Sequence, residues 1–398
     1  MQDIVITGIG LATPLGHDLD SFTEGLFHAE PPFVSHSTRY TRDVPVARVD
    51  DAGLADEAGG GPLDRASLLA VAAGRRALTD AGLLSDAARL KATAVMVGNG
   101  SGPTHAVNDA YHQLLATERL PGLTLLRCLP GGAANALALR FGLQSSNQSY
   151  TCACASSTVA LGEAMRAIRH GYAERVLVGG SEAPLGDGTL KAWEALRVLA
   201  PCGDDPRQAC RPFDRDRRGL VLGEGAAFFV LEAAAAANAR GARLHGRLLG
   251  YGSSCDAHHW TEPLAAGQVR AMRGALADAC LEPQDVIAVN AHGTGTAVGD
   301  RVEAESLHEV FGARGLAVSS TKSVHGHLLG ASGAIEMAAA LVTLQRWQAP
   351  PTRNLQHADV PGGFDWVSGA PRPLPQGRAV LSNSFAFGGS NASLVIGR

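Results

Sequence analysis

Short apolar runs bounded by glycine, proline and polar turns alternate along this chain with stretches whose apolar residues recur every three or four positions. The runs predict strands at Asp3–Thr7, Ala92–Val97, Arg175–Gly180, Ala226–Leu231, from Leu244, and at Val286–Ala291, Ala317–Ser320, Ala379–Ser382 and Ala392–Ile396. The three-to-four spacing predicts helices at Leu19–Ala29, Leu63–Gly82, Ala106–Leu115, Gly132–Phe141, Ala233–Arg240, Val269–Ala279, Asp300–Phe311 and Gly330–Leu344. Glu30–Val49, with Pro31 and Pro32, reads as loop, and the acidic, glycine-rich Asp50–Gly61 as exposed loop. Gly8-Ile9-Gly10 and Gly250-Tyr251-Gly252 read as turns ending strands. Strand and helix alternate twice over, which predicts an α/β fold with mostly parallel sheets.

Composition narrows the class. The 398 residues suit two domains or one two-part domain, and 45% hydrophobic residues can fill a sizeable core. A net charge of −4, with only 18% charged residues, argues against a general nucleic-acid binder. The 48 glycines and 5% aromatics imply closely packed helices and tight turns. Seven cysteines without a CxxC spacing predict neither a disulfide framework nor a metal site, and a reducing, cytoplasmic setting. No signal-peptide pattern and no apolar run of membrane-spanning length is visible.

Candidate chemistry starts at Ser149–Gly162. Its left half reads as a short buried strand, and its right half as a helix with Ala160, Ala164, Ala167 and Ile168 on one face and Gly171 past its end. Cys154 falls at the joint, where free N–H groups of a helix N-terminus favour thiolate. A plain buried cysteine is the bland alternative. Cys152, two residues earlier, lacks the helix-end position. Further on come Asn290-Ala291-His292-Gly293-Thr294-Gly295-Thr296 and Ser320-Thr321-Lys322-Ser323-Val324-His325-Gly326-His327-Leu328-Leu329-Gly330. A cysteine nucleophile, two histidines in glycine-flanked turns and a lysine are the parts of a thioester carbon–carbon condensation. A nucleotide reading fails: Thr13 stands where Gly8-x-Gly10 needs a third glycine, and Gly98–Pro103 lacks the Lys-Ser/Thr of a phosphate loop.

These blocks, with Ile4-Val5-Ile6-Thr7-Gly8 and Ser382-Asn383-Ser384-Phe385-Ala386-Phe387-Gly388-Gly389, resemble the β-ketoacyl-acyl-carrier-protein synthases over nearly the whole chain, nearest the type II group and its polyketide relatives. The resemblance implies the thiolase fold, two similar halves in a five-layer αβαβα core, here residues 1–240 with the nucleophile and 241–398 with the histidines and lysine. It implies a decarboxylative condensation: an acyl group held on Cys154 is joined to a malonyl unit, two carbons are added and CO2 is lost. His292 and His327 would hydrogen-bond the developing oxyanion. Lys322 would be buried and order the charges, with Glu336 as its partner. The backbone N–H groups of Cys154 and Phe387 would form the oxyanion hole, the Phe387 ring a gate supported by Phe385, and Thr294 and Thr296 the phosphopantetheine contacts. No metal or cofactor is called for. Asp300 and Glu303 read as capping and bracing the helix after His292, and His258 and His259 as lying near the substrate entrance without a catalytic role.

Two departures bear on partners and pocket. The family places threonine where His325 stands, which puts a neighbouring pantetheine contact in question. It also docks acidic carrier proteins on basic residues near Leu63, where this chain has Asp56-Glu57-Ala58-Gly59-Gly60-Gly61-Pro62-Leu63-Asp64. The expected acyl carrier protein would then use the charged loop Arg211–Arg218, otherwise read as solvated, or a surface supplied by a second subunit. A homodimer and a heterodimer with a chain-length-factor-like sister both fit, and a specialised polyketide or aryl-polyene pathway is preferred modestly over primary fatty-acid elongation. The alternatives are a non-catalytic chain-length factor, which usually lacks the cysteine, or a ketosynthase active only beside one. A degradative thiolase would carry a second cysteine after Cys280, and an initiation-type synthase asparagine at 327.

Overall fold

The computed structural model describes residues 2–61 and 63–398; Met1 and Pro62 lie outside the described residues. Eleven strands form one sheet: β1 (Ile4–Ala12), β2 (Ala94–Gly98), β3 (Asn147–Tyr150), β4 (Arg175–Glu182), β5 (Gly225–Ala233), β6 (Gly246–Cys255), β7 (Val286–Asn290), β8 (Ala317–Ser319), β9 (Asp365–Trp366), β10 (Ala379–Phe385) and β11 (Ser390–Gly397). Their spatial order is β9-β8-β7-β10-β11-β6-β1-β5-β4-β2-β3. The order repeats. Setting the short β9 aside, each half runs third, second, fourth, fifth, first strand from its outer edge inward, and the first strands of the halves, β1 and β6, meet through Ile4–Ile6.

Directions repeat as well. The second strand of each half is parallel to its third and fourth, and the fifth is antiparallel to both fourth and first. The sheet is therefore mixed rather than mostly parallel. For β10 and β11 the direction follows from connection length: only Ala386–Gly389 separate them, which suffices for an antiparallel return but not for a crossover.

Helices fill three layers. Between the two half-sheets lie α3 (Ser156–Arg169) and α6 (Ser332–Arg346). The latter is buried on every side from Ser332 to Leu344, as a central helix must be. Outside them pack α1 (Arg65–Asp80) with α2 (Gly132–Phe141) on one sheet, and α4 (Ala265–Asp278) with α5 (Ala297–Phe311) on the other. This is the five-layer thiolase-like arrangement.

The predicted glycine turns are strand interior. β1 runs on to Ala12 and β6 to Cys255. A Cβ on Gly8 or Gly10 would lie 2.2 or 1.9 Å from the carbonyl oxygens of Ala77 and Ala73 in α1. Gly250 and Gly252 meet Ala275 and Ala271 of α4 at 2.3 and 2.1 Å. Each half thus uses two glycines on one strand face to let an outer helix approach the sheet backbone.

Three local expectations also change. β3 is an exposed edge strand rather than a buried one, because among the described residues nothing pairs beyond it. Glu30–Val49 contains short strands at Phe33–His36 and Val44–Ala47, which pair with each other. Asp50–Gly61 holds a short helix, Leu54–Ala58, anchored by the buried Leu54 and Ala58. Among the described residues no helix is long and apolar enough to cross a membrane.

Candidate active site

Cys154 sits two residues before α3, on a turn whose preceding residue, Ala153, takes φ +47°. A non-glycine residue there is strained and must be held by its surroundings. Ser156 Oγ does part of this, donating to the Ala153 carbonyl at 2.6 Å and accepting the Cys152 N–H at 2.9 Å. The sulfur faces His327, whose Nε2 lies 3.0 Å from Sγ, while Nδ1 lies 3.0 Å from the Ser332 hydroxyl at the start of α6. That hydroxyl can donate or accept, so it supports either ring tautomer.

His292 arrives from the other half on the turn after β7. Its ring stands edge-on to His327, with centroids 5.4 Å apart, and 6.2 Å from Phe385. The reactive atoms of Cys154, His292 and His327 all lie within 4.8 Å of one another, and among the described residues no other group of histidine, cysteine and acidic donors gathers so closely. Buried His292 Nδ1 has no hydrogen-bond partner among the described residues.

The acids behind the histidines are buried, and they hold loops rather than capping a helix. Glu303 accepts the N–H groups of His292 (2.8 Å) and Gly293 (2.7 Å); Asp300 accepts those of Phe213 (2.7 Å) and Gly295 (3.1 Å). Burial pushes Glu303 up to about 7 and Asp300 up to about 6. Lys322 and Glu336 form a fully buried ion pair, as the sequence predicts, and burial pushes Glu336 up to about 7 despite the ammonium beside it. Glu336 Oε2 has no hydrogen-bond partner among the described residues.

The expected ready thiolate is not what the fold creates. Burial pushes the Cys154 thiol up to about 12, against the opposing pull of Lys322 and of the N–H groups of Phe387 and Cys154 itself. Burial and Lys322 also hold His292 and His327 well below the ordinary imidazole range. The resting site is therefore a neutral thiol against a neutral imidazole.

A cavity of about 410 Å³ opens onto this pair. Cys154, His292, His327, Thr294, Thr296, Phe385 and Phe387 all line it. Lys322 and Glu336 lie behind its wall. So does His325: its Nδ1–H donates to the Gly326 carbonyl at 2.7 Å, and its Nε2 lies 3.0 Å from the Thr321 hydroxyl. It therefore does not line the cavity, and burial holds it down to about 3. Cys152 packs against the core beside Tyr150. The Phe387 ring stacks on Trp193 at 6.0 Å and is followed by Gly388 at φ +82°. Trp260, with 83% of its surface exposed, stands at the mouth with His259, Arg197 and Arg218.

The charged loop is only partly solvated. Arg217 is buried, 3.8 Å from Asp300, and donates to the carbonyls of Asp214, Thr296 and Ala297. Asp214 is buried too, whereas Arg215 and Arg218 are exposed. Sequence reasoning also missed Ser332, Trp193 and Glu182, the last a buried acid at the end of β4. An ionisable residue closing the apolar run Arg175–Gly180 was the available signal for Glu182.

The family model described as "Beta-ketoacyl synthase, N-terminal domain" matches residues 1–237, and "Beta-ketoacyl synthase, C-terminal domain" matches 245–356. The chain is 39% identical to Nodulation protein E of Rhizobium sp., covering 98% of each chain. It is 35% identical to 3-oxoacyl-[acyl-carrier-protein] synthase 2 of Synechocystis sp., covering 98% of this chain and 97% of that one. Among solved structures, the ishigamide ketosynthase/chain length factor superposes with a TM-score of 0.91 at 31% identity, over 100% of this chain and 99% of that one.

Proposed function

Since the chain belongs to the beta-ketoacyl synthase family, we propose that Cys154, His292 and His327 carry its condensation and that Lys322, Phe387, Thr294, Thr296, Phe385 and Glu336 support it. The protein is a ketosynthase, a condensing enzyme of fatty-acid or polyketide biosynthesis. The observation that carries the residue assignment is the 3.0 Å approach of His327 Nε2 to Cys154 Sγ at the floor of a cavity shared with His292.

In the first half-reaction the thiol proton passes to His327 Nε2 as sulfur attacks the acyl thioester carbon. The carrier thiolate leaves and takes that proton back. The oxyanion faces the N–H groups of Cys154 and Phe387, the two that already point at the sulfur. In the second, the malonyl thioester loses CO2 and its carbonyl oxygen gains charge. His292 and His327, neutral and preorganised, donate ring N–H groups to that oxygen, each such donor being worth about 3–4 kcal/mol of barrier. The resulting carbon nucleophile attacks the acyl carbon, the bond from that carbon to Cys154 Sγ breaks, and the departing thiolate takes up one proton from solvent, which balances the carboxylate charge left behind when CO2 is lost. Lys322 stays out of reach of substrate and sets the field in which both imidazoles stay uncharged.

The reading of residues 1–240 and 241–398 as two similar halves is supported by their repeated strand order. The substrates are proposed to arrive on an acyl carrier protein in the cytoplasm, with no other cofactor required. A paired state, homodimeric or with a chain-length-factor-like sister, is supported by the exposed edge β3 beside exposed Leu123, Leu125, Leu126 and Leu139. A non-catalytic ruler subunit is not favoured, since the thiol–imidazole pair is intact.

Intact mass spectrometry of the protein offered a panel of acyl-carrier thioesters tests the assignment. Retained acyl adducts define the substrate class, and Cys154→Ala is expected to lose all of them. An adduct surviving in that variant would place the nucleophile elsewhere.

A further inference from the structure

Glu182 is fully buried at the end of β4, and among the described residues it has no lysine, arginine or histidine within ion-pair distance. Its partners are backbone. Gly100 N–H donates to it at 2.7 Å, Ser101 N–H at 3.2 Å and Gly330 N–H at 3.0 Å. These donors come from two separate segments: Gly100 and Ser101 follow β2, and Gly330 follows His327.

The segments touch each other and the nucleophile turn. A Cβ on Gly330 would lie 2.2 Å from Gly100 N, and one on Gly100 would lie 3.1 Å from the Ala153 carbonyl. Ala153, just before Cys154, has φ +47°, and Leu329, two residues after His327, has φ +45°. Both members of the thiol–imidazole pair are therefore carried on turns whose non-glycine residues sit in the left-handed region, where the surroundings must hold them. The carboxylate that reaches across these segments is Glu182.

We propose that Glu182 is a positioning residue for the condensation: it clamps the His327 turn against the loop backing the Cys154 turn. The inference rests on the reading of Cys154 and His327 given above. The charged or titratable groups facing the sulfur are Lys322, Glu182, His292 and His327; of the two with a full charge to offer, Lys322 favours thiolate and Glu182 opposes it. Burial pushes Glu182 itself up to about 7, so its charge is present on the alkaline side.

The test uses two variants of the whole chain. Peptide-resolved mass spectrometry follows iodoacetamide labelling of Cys154 against pH, and steady-state assay with acyl- and malonyl-carrier gives kcat and KM. Glu182→Gln removes the charge, and its labelling profile is expected to move to lower pH by about half a unit or more, with kcat down at least about tenfold and KM within about twofold. Glu182→Asp keeps the charge and loses reach, so its profile should overlay the parent's while kcat falls. A Gln profile superimposable on the parent's, or an Asp variant with parental kcat, overturns the proposal. If the Gln variant does not fold, the Asp kcat decides. Labelling needs no acyl substrate, so it reads Glu182 even where the substrate assignment fails; absence of Cys154 labelling in the parent would instead count against the nucleophile.

Discussion

Cys154 is pulled two ways. Its place before α3 offers it N–H donors, yet its burial costs more than those donors return, and the thiol stays protonated at rest. The histidine at 3.0 Å reconciles reactivity with burial, because a proton moved within the pair leaves no lone charge behind. His327→Ala is thus expected to slow adduct formation by roughly 10²–10⁴-fold. His292→Ala should leave the adduct and remove condensation, read as acyl-enzyme that accumulates without CO2 release.

His325 yields a test of its own. Its folded-state value of about 3 lies below the ordinary value of 6.5. Between those values the unfolded chain binds the extra proton, so the contribution of neutral His325 to stability is present above 6.5 and is lost as pH falls toward 3. His325→Gln should lose less melting temperature than the parent on going from pH 7 to pH 4, measured by calorimetry. The gathering of Cys154, His292 and His327 at one cavity was legible in the chain because each sits inside a long motif. The roles of His325 and Glu182 were not, because a motif shows neither which way a ring faces nor which distant backbone an acid will reach.

For whole elements, the glycine pairs on β1 and β6 set how close the outer helices come. Gly252→Ala places a methyl group 2.1 Å from the Ala271 carbonyl, so either α4 or β6 must move. Overpacking of this kind typically costs about 1–3 kcal/mol. A melting temperature several degrees lower is expected, with Cys154 labelling unchanged; an unchanged melting temperature would mean that the contact relaxes freely. Taken alone, these glycines predicted turns. Their spacing of two, against alanines spaced by four in each facing helix (Ala73 with Ala77, Ala271 with Ala275), carried the correct answer. That spacing becomes informative only once strand and helix are known to face each other, which local pattern does not say. Helix bounds were read to within a few residues where apolar spacing is regular. Leu54–Ala58 and the Phe33–His36/Val44–Ala47 pair were missed because segments that short carry little periodic signal.

At the scale of the molecule, the two halves bring Cys154 from the N-terminal side of the chain against His292 and His327 from the C-terminal side, the three residues proposed to carry the condensation. The halves' shared strand order was invisible in sequence, since some pairing partners lie more than two hundred residues apart, as Ile4 and Ala233 do. The leucine-rich face beside β3 yields the prediction for assembly. Leu139 is 86% exposed on α2, and Leu139→Asp is expected to shift the protein toward monomer in light scattering. An unchanged mass would remove that face from the interface.

The edge strand β3 ends at Tyr150, four residues before Cys154. A neighbouring chain seated along it would press on the nucleophile turn almost directly. Product choice could then be retuned by exchanging the neighbour, with every atom of the reactive trio left in place.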